Sequence, residues 1–142
     1  MLEKGLLAGT LVTSQLLLAP LAFGGPEGGT VISGQGSISK PSALETQISQ
    51  QSQNLLMNFD SFDLSKDESV LITQPNAAAW FVGQVVGGSP TAIFGSITAN
   101  GQVALVNPQG VIFGETASIN AAGVFASAMG LTSQDLFQKE GA

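Results

Sequence analysis

The sequence lacks four residue types altogether: it contains no cysteine, histidine, arginine or tyrosine. Without cysteine and histidine, the chain has none of the usual protein ligands of zinc, haem or iron–sulfur clusters. It also lacks the commonest general base and the most reactive side-chain nucleophile. We therefore expect a protein that is not an enzyme, with no catalytic residue, no cofactor and no metal site.

Charged residues are also scarce. They make up 10% of the chain, whereas soluble domains average about 25%. Acidic residues number 10 against four lysines, which gives a formal net charge of −6. Because nucleic-acid binding needs cationic contacts with phosphate, we expect no nucleic-acid partner. The 18 glycines and the hydrophobic fraction of 44% are typical of a folded chain with many turns, not of a disordered one.

The N-terminal segment is typical of an export signal. Lys4 precedes an apolar run over Leu6–Leu18, and small residues follow at Ala22 and Gly24. This order predicts a signal peptide over residues 1–24, read by the Sec export machinery and cleaved after Gly24. A buried N-terminal helix or a membrane anchor is the alternative interpretation. Four polar residues make the run a poor membrane span: Thr10, Thr13, Ser14 and Gln15.

The remaining chain, residues 25–142, has the pattern of short strands separated by turns. The predicted turns are Gln74–Asn76, Asn100–Gly101 and Asn107–Gly110. The predicted strands are Glu45–Ser49, Leu55–Phe59, Ser69–Thr73, a strand within Ala77–Val86, Ala92–Ile97, Gln102–Val106 and Val111–Phe113. We predict that Gly24–Gly36 is a flexible lead-in to a short strand, and that residues 26–50 form an N-terminal cap. The pattern indicates an all-β fold.

An internal repeat refines this prediction. Ser96–Gly101 matches Ser118–Gly123 at a spacing of 22 residues, and an apolar strand follows each copy. One coil of a β-solenoid commonly uses about that many residues. Equivalent residues would then stack, which places Ile97 over Ile119 in one interior row.

Over residues 58–127 the chain resembles the N-terminal secretion domain of two-partner secretion exoproteins, the filamentous haemagglutinin or haemagglutination activity family. The resemblance is carried by NFDSFDL at 58–64, ITQP at 72–75, VVGGSPTAIFGSITANGQVALVNPQGVIFG at 85–114 and ASINAAGVFAS at 117–127. The segment LTSQDLF at Leu131–Phe137 looks like the one that follows the family core. Two departures are Gly83-Gln84, where the family usually shows Asn-Arg, and Gln109, where asparagine is commoner.

The resemblance implies a right-handed, single-stranded parallel β-helix, of which this chain would hold a part that stops before the C-terminal coils. It also implies export through the periplasm, to the medium or the cell surface. The implied partner is an outer-membrane β-barrel transporter with periplasmic recognition domains, and the implied passengers are adhesins, haemagglutinins, haemolysins or toxins.

The candidate site residues lie in two turns: Asn100, Gly101, Asn107, Pro108, Gln109 and Gly110. Pro108 fixes φ and Gly110 permits a positive φ, so a purely structural corner explains the second turn. Direct contact with the transporter is the alternative interpretation. For Asn100-Gly101 we expect a tight turn that uses positive φ.

Two other groups allow competing interpretations. The acids Asp60, Asp63, Asp67 and Glu68 are typical of a solvated loop, although a calcium site or the carboxylate pair of a polysaccharide-cleaving β-helix is conceivable. Trp80-Phe81 fits a core or cap pair better than a sugar-stacking platform. Secretion targeting is the leading functional hypothesis. An adhesin fragment that binds surface glycans, and a polysaccharide-active enzyme, are the alternatives.

Overall fold

The computed structural model describes residues 24–128. Every regular element in this part of the chain is a strand, and none of it forms a helix that could cross a membrane. The predicted signal peptide, apart from Gly24, and the segment Leu131–Phe137 lie outside the described residues. The strands are β1 Pro26–Glu27, β2 Thr30–Ser33, β3 Gly36–Ser42, β4 Glu45–Gln50, β5 Asn54–Phe59, β6 Ser61–Phe62, β7 Ser69–Thr73, β8 Trp80–Val85, β9 Thr91–Ile93, β10 Ser96–Ala99, β11 Gln102–Val106, β12 Val111–Phe113, β13 Ser118–Asn120 and β14 Gly123–Ser127.

The strands form three stacked sheets and a separate two-stranded sheet in which β1 pairs with β6. Sheet 1 has the order β13-β10-β7-β4-β3, sheet 2 the order β14-β11-β8-β5-β2, and sheet 3 pairs β12 with β9. From β4 onward all neighbours in these sheets are parallel. The chain passes through sheets 1, 2 and 3 in turn and then moves down by one layer. The predicted all-β, right-handed parallel β-helix is therefore confirmed, with about four coils.

The interior consists of rows of stacked side chains. Ile97 pairs with Val70 of the coil before and with Ile119 of the coil after, which confirms the predicted stack. Successive side chains of a strand point to opposite faces, so every second residue points inward. Because neighbouring coils pair in register, these inward residues stack into continuous rows. Phe59 packs edge-on against Phe62 and Phe81 with ring centroids 5.1 and 6.4 Å apart, and all three rings are buried. These rows are the hydrophobic core of the domain.

The N-terminal cap is smaller than predicted. Residues 26–50 were expected to form it, but β4 already belongs to the first coil, because it pairs in parallel with β7. The cap consists of β1, β2 and β3, which pair antiparallel with β6, β5 and β4. The short strand predicted within Gly24–Gly36 is present as β2, and β1 is a further strand that the prediction did not include. Antiparallel pairing covers the free upper edges of β4 and β5, which would otherwise be open to another chain.

Most strand predictions are confirmed, and one is wrong. Ser69–Thr73, Gln102–Val106 and Val111–Phe113 have the predicted bounds. Ala92–Ile97 is not one strand, because a corner at Phe94-Gly95 separates β9 in sheet 3 from β10 in sheet 1. A Cβ on Gly95 would stand 2.1 Å from the carbonyl oxygen of Glu68. The close approach of two backbones therefore makes glycine necessary at this corner.

Candidate functional site

The turn that follows β11 is held from inside by Asn107. This side chain is buried, and its Nδ2 donates to the carbonyl oxygen of Ser89 at 2.9 Å and to Thr91 Oγ1 at 2.8 Å. Its Oδ1 accepts a hydrogen bond from the backbone N–H of Gln109 at 2.9 Å. Gly110 closes the turn with φ +112°, as the turn chemistry predicted. Asn107 is thus a structural residue that fastens this turn to the loop of the preceding coil.

Only part of the same turn faces solvent. Pro108 and Gln109 are exposed, and Ile112 in the following strand is 56% exposed. The turn thus presents a proline and a side-chain amide to solvent shortly before an exposed apolar residue of β12. Among the candidate residues of this turn, Pro108 and Gln109 are therefore the side chains that a partner protein could touch.

The Asn100-Gly101 turn joins β10 to β11 and is tight for a different reason than expected. Gly101 does not adopt a positive φ. A Cβ there would stand 2.8 Å from the carbonyl oxygen of Ala79 and from the side-chain carbon of Gln74, so lack of space excludes a side chain. The amide of Asn100 exchanges two hydrogen bonds with the backbone of Gln74, at 2.7 and 2.8 Å. This turn is bound to the coil above it.

A buried ladder of side-chain amides runs down the same corner of the helix. Gln74 is 5% exposed, and its Nε2 donates to Gln50 Oε1 and to the carbonyl oxygens of Ala79 and Gln102. Its Oε1 accepts the N–H of Gly101 at 2.7 Å. Gln50 above it donates in turn to three carbonyl oxygens.

This amide ladder was not predicted from the sequence. A signal for it exists, because Gln50 and Gln74 each follow the last core residues of a sheet 1 strand. They are 24 residues apart, the same distance that separates the stacked pair Thr46 and Val70. Gln50 and Gln74 bond to backbone groups on more than one coil. These bonds fix the register of the coils, because a slipped register would leave the buried groups unpaired.

The four acids do not form a single loop site. Asp60 and Asp67 are exposed, as a solvated loop predicts, and Asp63 Oδ1 accepts the N–H of Ala92 at 2.8 Å. Glu68 is different, because its side chain is 2% exposed. Residues 24–128 contain no group of three or more acids that could hold a metal ion. The solvated-loop interpretation is therefore wrong for Glu68.

The Trp80-Phe81 pair is divided between two environments. Phe81 is completely buried in the core, whereas Trp80 is half-buried against a second apolar cluster. That cluster consists of Leu56, Val82, Ala104 and Val106. Alternation along β8 separates the two rings onto opposite faces of sheet 2, so they cannot form one platform for a sugar.

The chain matches a known protein family over most of its length. The profile of the TPS secretion domain matches residues 25–140. The chain belongs to the TPS secretion domain family. The motifs that carry the resemblance supply both the core and the corners of the helix. Phe59, Phe62 and Leu64 are buried in the core, and Asn107–Gly110 is the turn that Asn107 fastens to the preceding coil.

Known proteins of this family agree in sequence and in structure. Two curated Haemophilus influenzae proteins, each named Heme/hemopexin-binding protein, are 37% identical to the chain over 102 residues. The alignment covers 72% of the chain but 11% of those relatives, so the chain spans about a tenth of their length. The crystal structure of the HMW1 secretion domain from Haemophilus influenzae superposes with a TM-score of 0.75 at 25% identity. That match covers 81% of the chain and 30% of the HMW1 domain.

Membership of the TPS secretion domain family identifies the class of the protein. The chain carries the TPS secretion domain of a two-partner secretion exoprotein. Such proteins are secreted by way of the periplasm and are paired with a cognate outer-membrane transporter.

Proposed function

We propose that this chain targets an exported passenger to one dedicated outer-membrane β-barrel, whose periplasmic domains recognise the stacked coils. The family match over residues 25–140 is the observation that carries this proposal. In the proposed route, residues 1–24 direct the chain through the Sec machinery and are removed after Gly24. The domain then meets the transporter in the periplasm and leads the rest of its protein to the cell surface or the medium.

The passenger is proposed to be an adhesin, a haemagglutinin or a toxin. The curated relatives are named for binding heme and hemopexin, so capture of a host protein or ligand is compatible with this type of passenger. Direct glycan binding by the domain itself has less support, since Phe81 is buried and Trp80 faces the opposite side of the sheet.

Co-expression tests the proposal. The full chain is produced in a two-membrane bacterium with and without a candidate outer-membrane barrel transporter of the two-partner type. We expect the domain in the medium only when the transporter is present. Equal amounts in the medium without it would refute targeting. Binding of the purified domain to a glycan array without the transporter would support the adhesin alternative instead.

A paired substitution tests whether the exposed turn contacts the transporter. Gln109→Ala removes an exposed amide and is expected to change the free energy of unfolding by less than about 0.5 kcal/mol, yet to lower secretion. Gln35→Ala, an exposed glutamine of the cap, is the control and should secrete normally. Asn107→Ala leaves buried polar groups unpaired and should cost about 2–3 kcal/mol. If Gln109→Ala secretes like Gln35→Ala, Gln109 makes no contact that matters for transport.

A further inference from the structure

Glu68 carries a buried carboxylate whose role the fold alone does not explain. Oε1 accepts the backbone N–H of Ser65 at 2.8 Å, which closes a short turn. Oε2 accepts the backbone N–H of Gly24 at 2.6 Å, across 44 residues of chain. The side chain is therefore aimed at the first described residue of the domain.

No cation within residues 24–128 balances this charge. Residues 24–128 contain two lysines, and neither pairs with Glu68. Lys40 donates from Nζ to the carbonyl oxygen of Gly24, and the side chain of Lys66 is exposed. Burial of a carboxylate away from water is unfavourable by several kcal/mol unless a cation or several hydrogen-bond donors compensate for it. Two amide N–H groups satisfy part of its hydrogen-bonding capacity, and no lysine of residues 24–128 pairs with its charge.

We propose that Glu68 receives the α-ammonium group that signal cleavage creates beside Gly24. This inference rests on the proposed export function. Hydrolysis of the Gly24–Gly25 peptide bond adds water across it: the leader leaves with the Gly24 carboxylate, and the Gly25 amine takes up a proton. The new cation arises one residue away from the nitrogen that Glu68 binds in the uncleaved chain.

The neighbouring structure keeps the new terminus within reach of the carboxylate. Pro26 and Glu27 form β1 against β6, and the N–H of Asp60 donates to the Glu27 carbonyl at 2.8 Å. Gly25, which is buried, is the single residue between this fixed strand and the cleavage point. The ammonium therefore replaces an amide donor by a full positive charge, which adds the attraction between two opposite charges to the charge-assisted hydrogen bond.

The consequence is that removal of the leader completes the cap. Before cleavage, two backbone N–H groups are the donors that the described residues offer to the buried carboxylate of Glu68. After cleavage, an ion pair ties the start of β1 to the turn that precedes β7. Leader processing and the final stability of the folded domain are thus coupled through one side chain.

A double-mutant cycle tests this inference on protein exported from the full chain and purified after processing. One arm is Glu68→Gln, and the other inserts two serines between Gly24 and Gly25, which moves the ammonium away. Asp67→Asn, a neighbouring exposed acid, is the control. Urea unfolding is followed for each protein, and N-terminal sequencing establishes its first residue.

We expect Glu68→Gln to lower the folding equilibrium constant at least about tenfold in the normally processed protein. In the protein with two inserted serines the same substitution should have a much smaller effect, and Asp67→Asn should have little effect in either. An equal loss with and without the insertion, or no loss at all, would overturn the inference. So would a first residue that lies far from Gly24.

A second measurement covers the case in which Glu68→Gln does not fold. The α-amine of the processed native protein should react with an acylating reagent at least about tenfold more slowly than in urea, because a buried ion pair withholds it from solvent. Equal rates would overturn the inference. A failed secretion assay with the transporter leaves these readouts intact, so the two proposals are tested separately.

Discussion

Truncation of Gln74 to alanine gives the sharpest test of how the coils are held in register. The substitution removes four hydrogen bonds of a buried amide. The N–H of Gly101 is the most costly group to leave unpaired. Gly101 is buried, and its N–H has no acceptor other than Gln74 Oε1, at 2.7 Å, among the described residues. The carbonyl of Ala79 is less affected, since it also accepts the N–H of Gln102.

The expected magnitude follows from these bonds. An unsatisfied buried N–H costs about 1–3 kcal/mol, and each remaining net hydrogen bond is worth about 0.5–1.5 kcal/mol. With partial compensation at Ala79, Gln74→Ala should lower the free energy of unfolding by about 3 kcal/mol. That is a large part of the roughly 5–15 kcal/mol typical of a domain. It corresponds to a fall in Tm of roughly 10 °C.

Gln53→Ala is the matched control, because Gln53 and Asn76 form a reciprocal amide pair on the outside of the same corner. Both residues are exposed, so their loss should cost less than about 0.5 kcal/mol. Urea unfolding can be followed by the fluorescence of Trp80, the single tryptophan, whose carbonyl accepts a bond from the amide of Gln50. If Gln74→Ala and Gln53→Ala lower the free energy of unfolding equally, burial of the amide ladder does not determine how much it stabilises the domain.

Two further pairs of substitutions examine the corners and the rows. A Cβ on Gly87 would stand 1.9 Å from the backbone oxygen of Asp60, so Gly87→Ala should destabilise the domain severely. Gly88 has φ +90°, and a Cβ there would meet no atom within 4 Å, so Gly88→Ala should lower the free energy of unfolding by only about 1–2 kcal/mol. Comparable Tm values for the two variants would contradict this account. Ile97→Ala removes a fully buried row member and should cost about 2–5 kcal/mol, whereas Ile112→Ala at an exposed position should be nearly neutral. Similar urea midpoints for these two variants would show that the rows do not carry the stability.

The regular part of the fold could be predicted because the signals there are local. Gln102–Val106 is bounded by an Asn-Gly turn and an Asn-Pro turn, so its limits follow from turn chemistry. The stack of Ile97 on Ile119 followed from one repeat. Ala92–Ile97 failed because the corner at Gly95 depends on a contact with the backbone of Glu68 on another coil, and no local rule indicates it.

The candidate site shows the same division. The exposure of Pro108 and Gln109 agrees with ordinary turn chemistry. The burial of Gln50, Gln74 and Glu68 could not be predicted, because polarity alone indicates solvent exposure. Their environment exists only when residues from different coils come together. Positive φ was correctly expected at Gly110 and wrongly at Gly101, since a glycine can be required by torsion or by space, and sequence does not separate these causes.

The coils are unequal in length, since 24, 27 and 22 residues separate successive members of the row Thr46, Val70, Ile97 and Ile119. The longest interval is longer mainly because residues 74–79 join β7 to β8, whereas two residues, Asn100 and Gly101, join β10 to β11 in the next coil. Additions at such a corner leave the interior rows undisturbed. Evolution can therefore lengthen a corner and place new chemistry on the outside of the cylinder without rebuilding what lies within it.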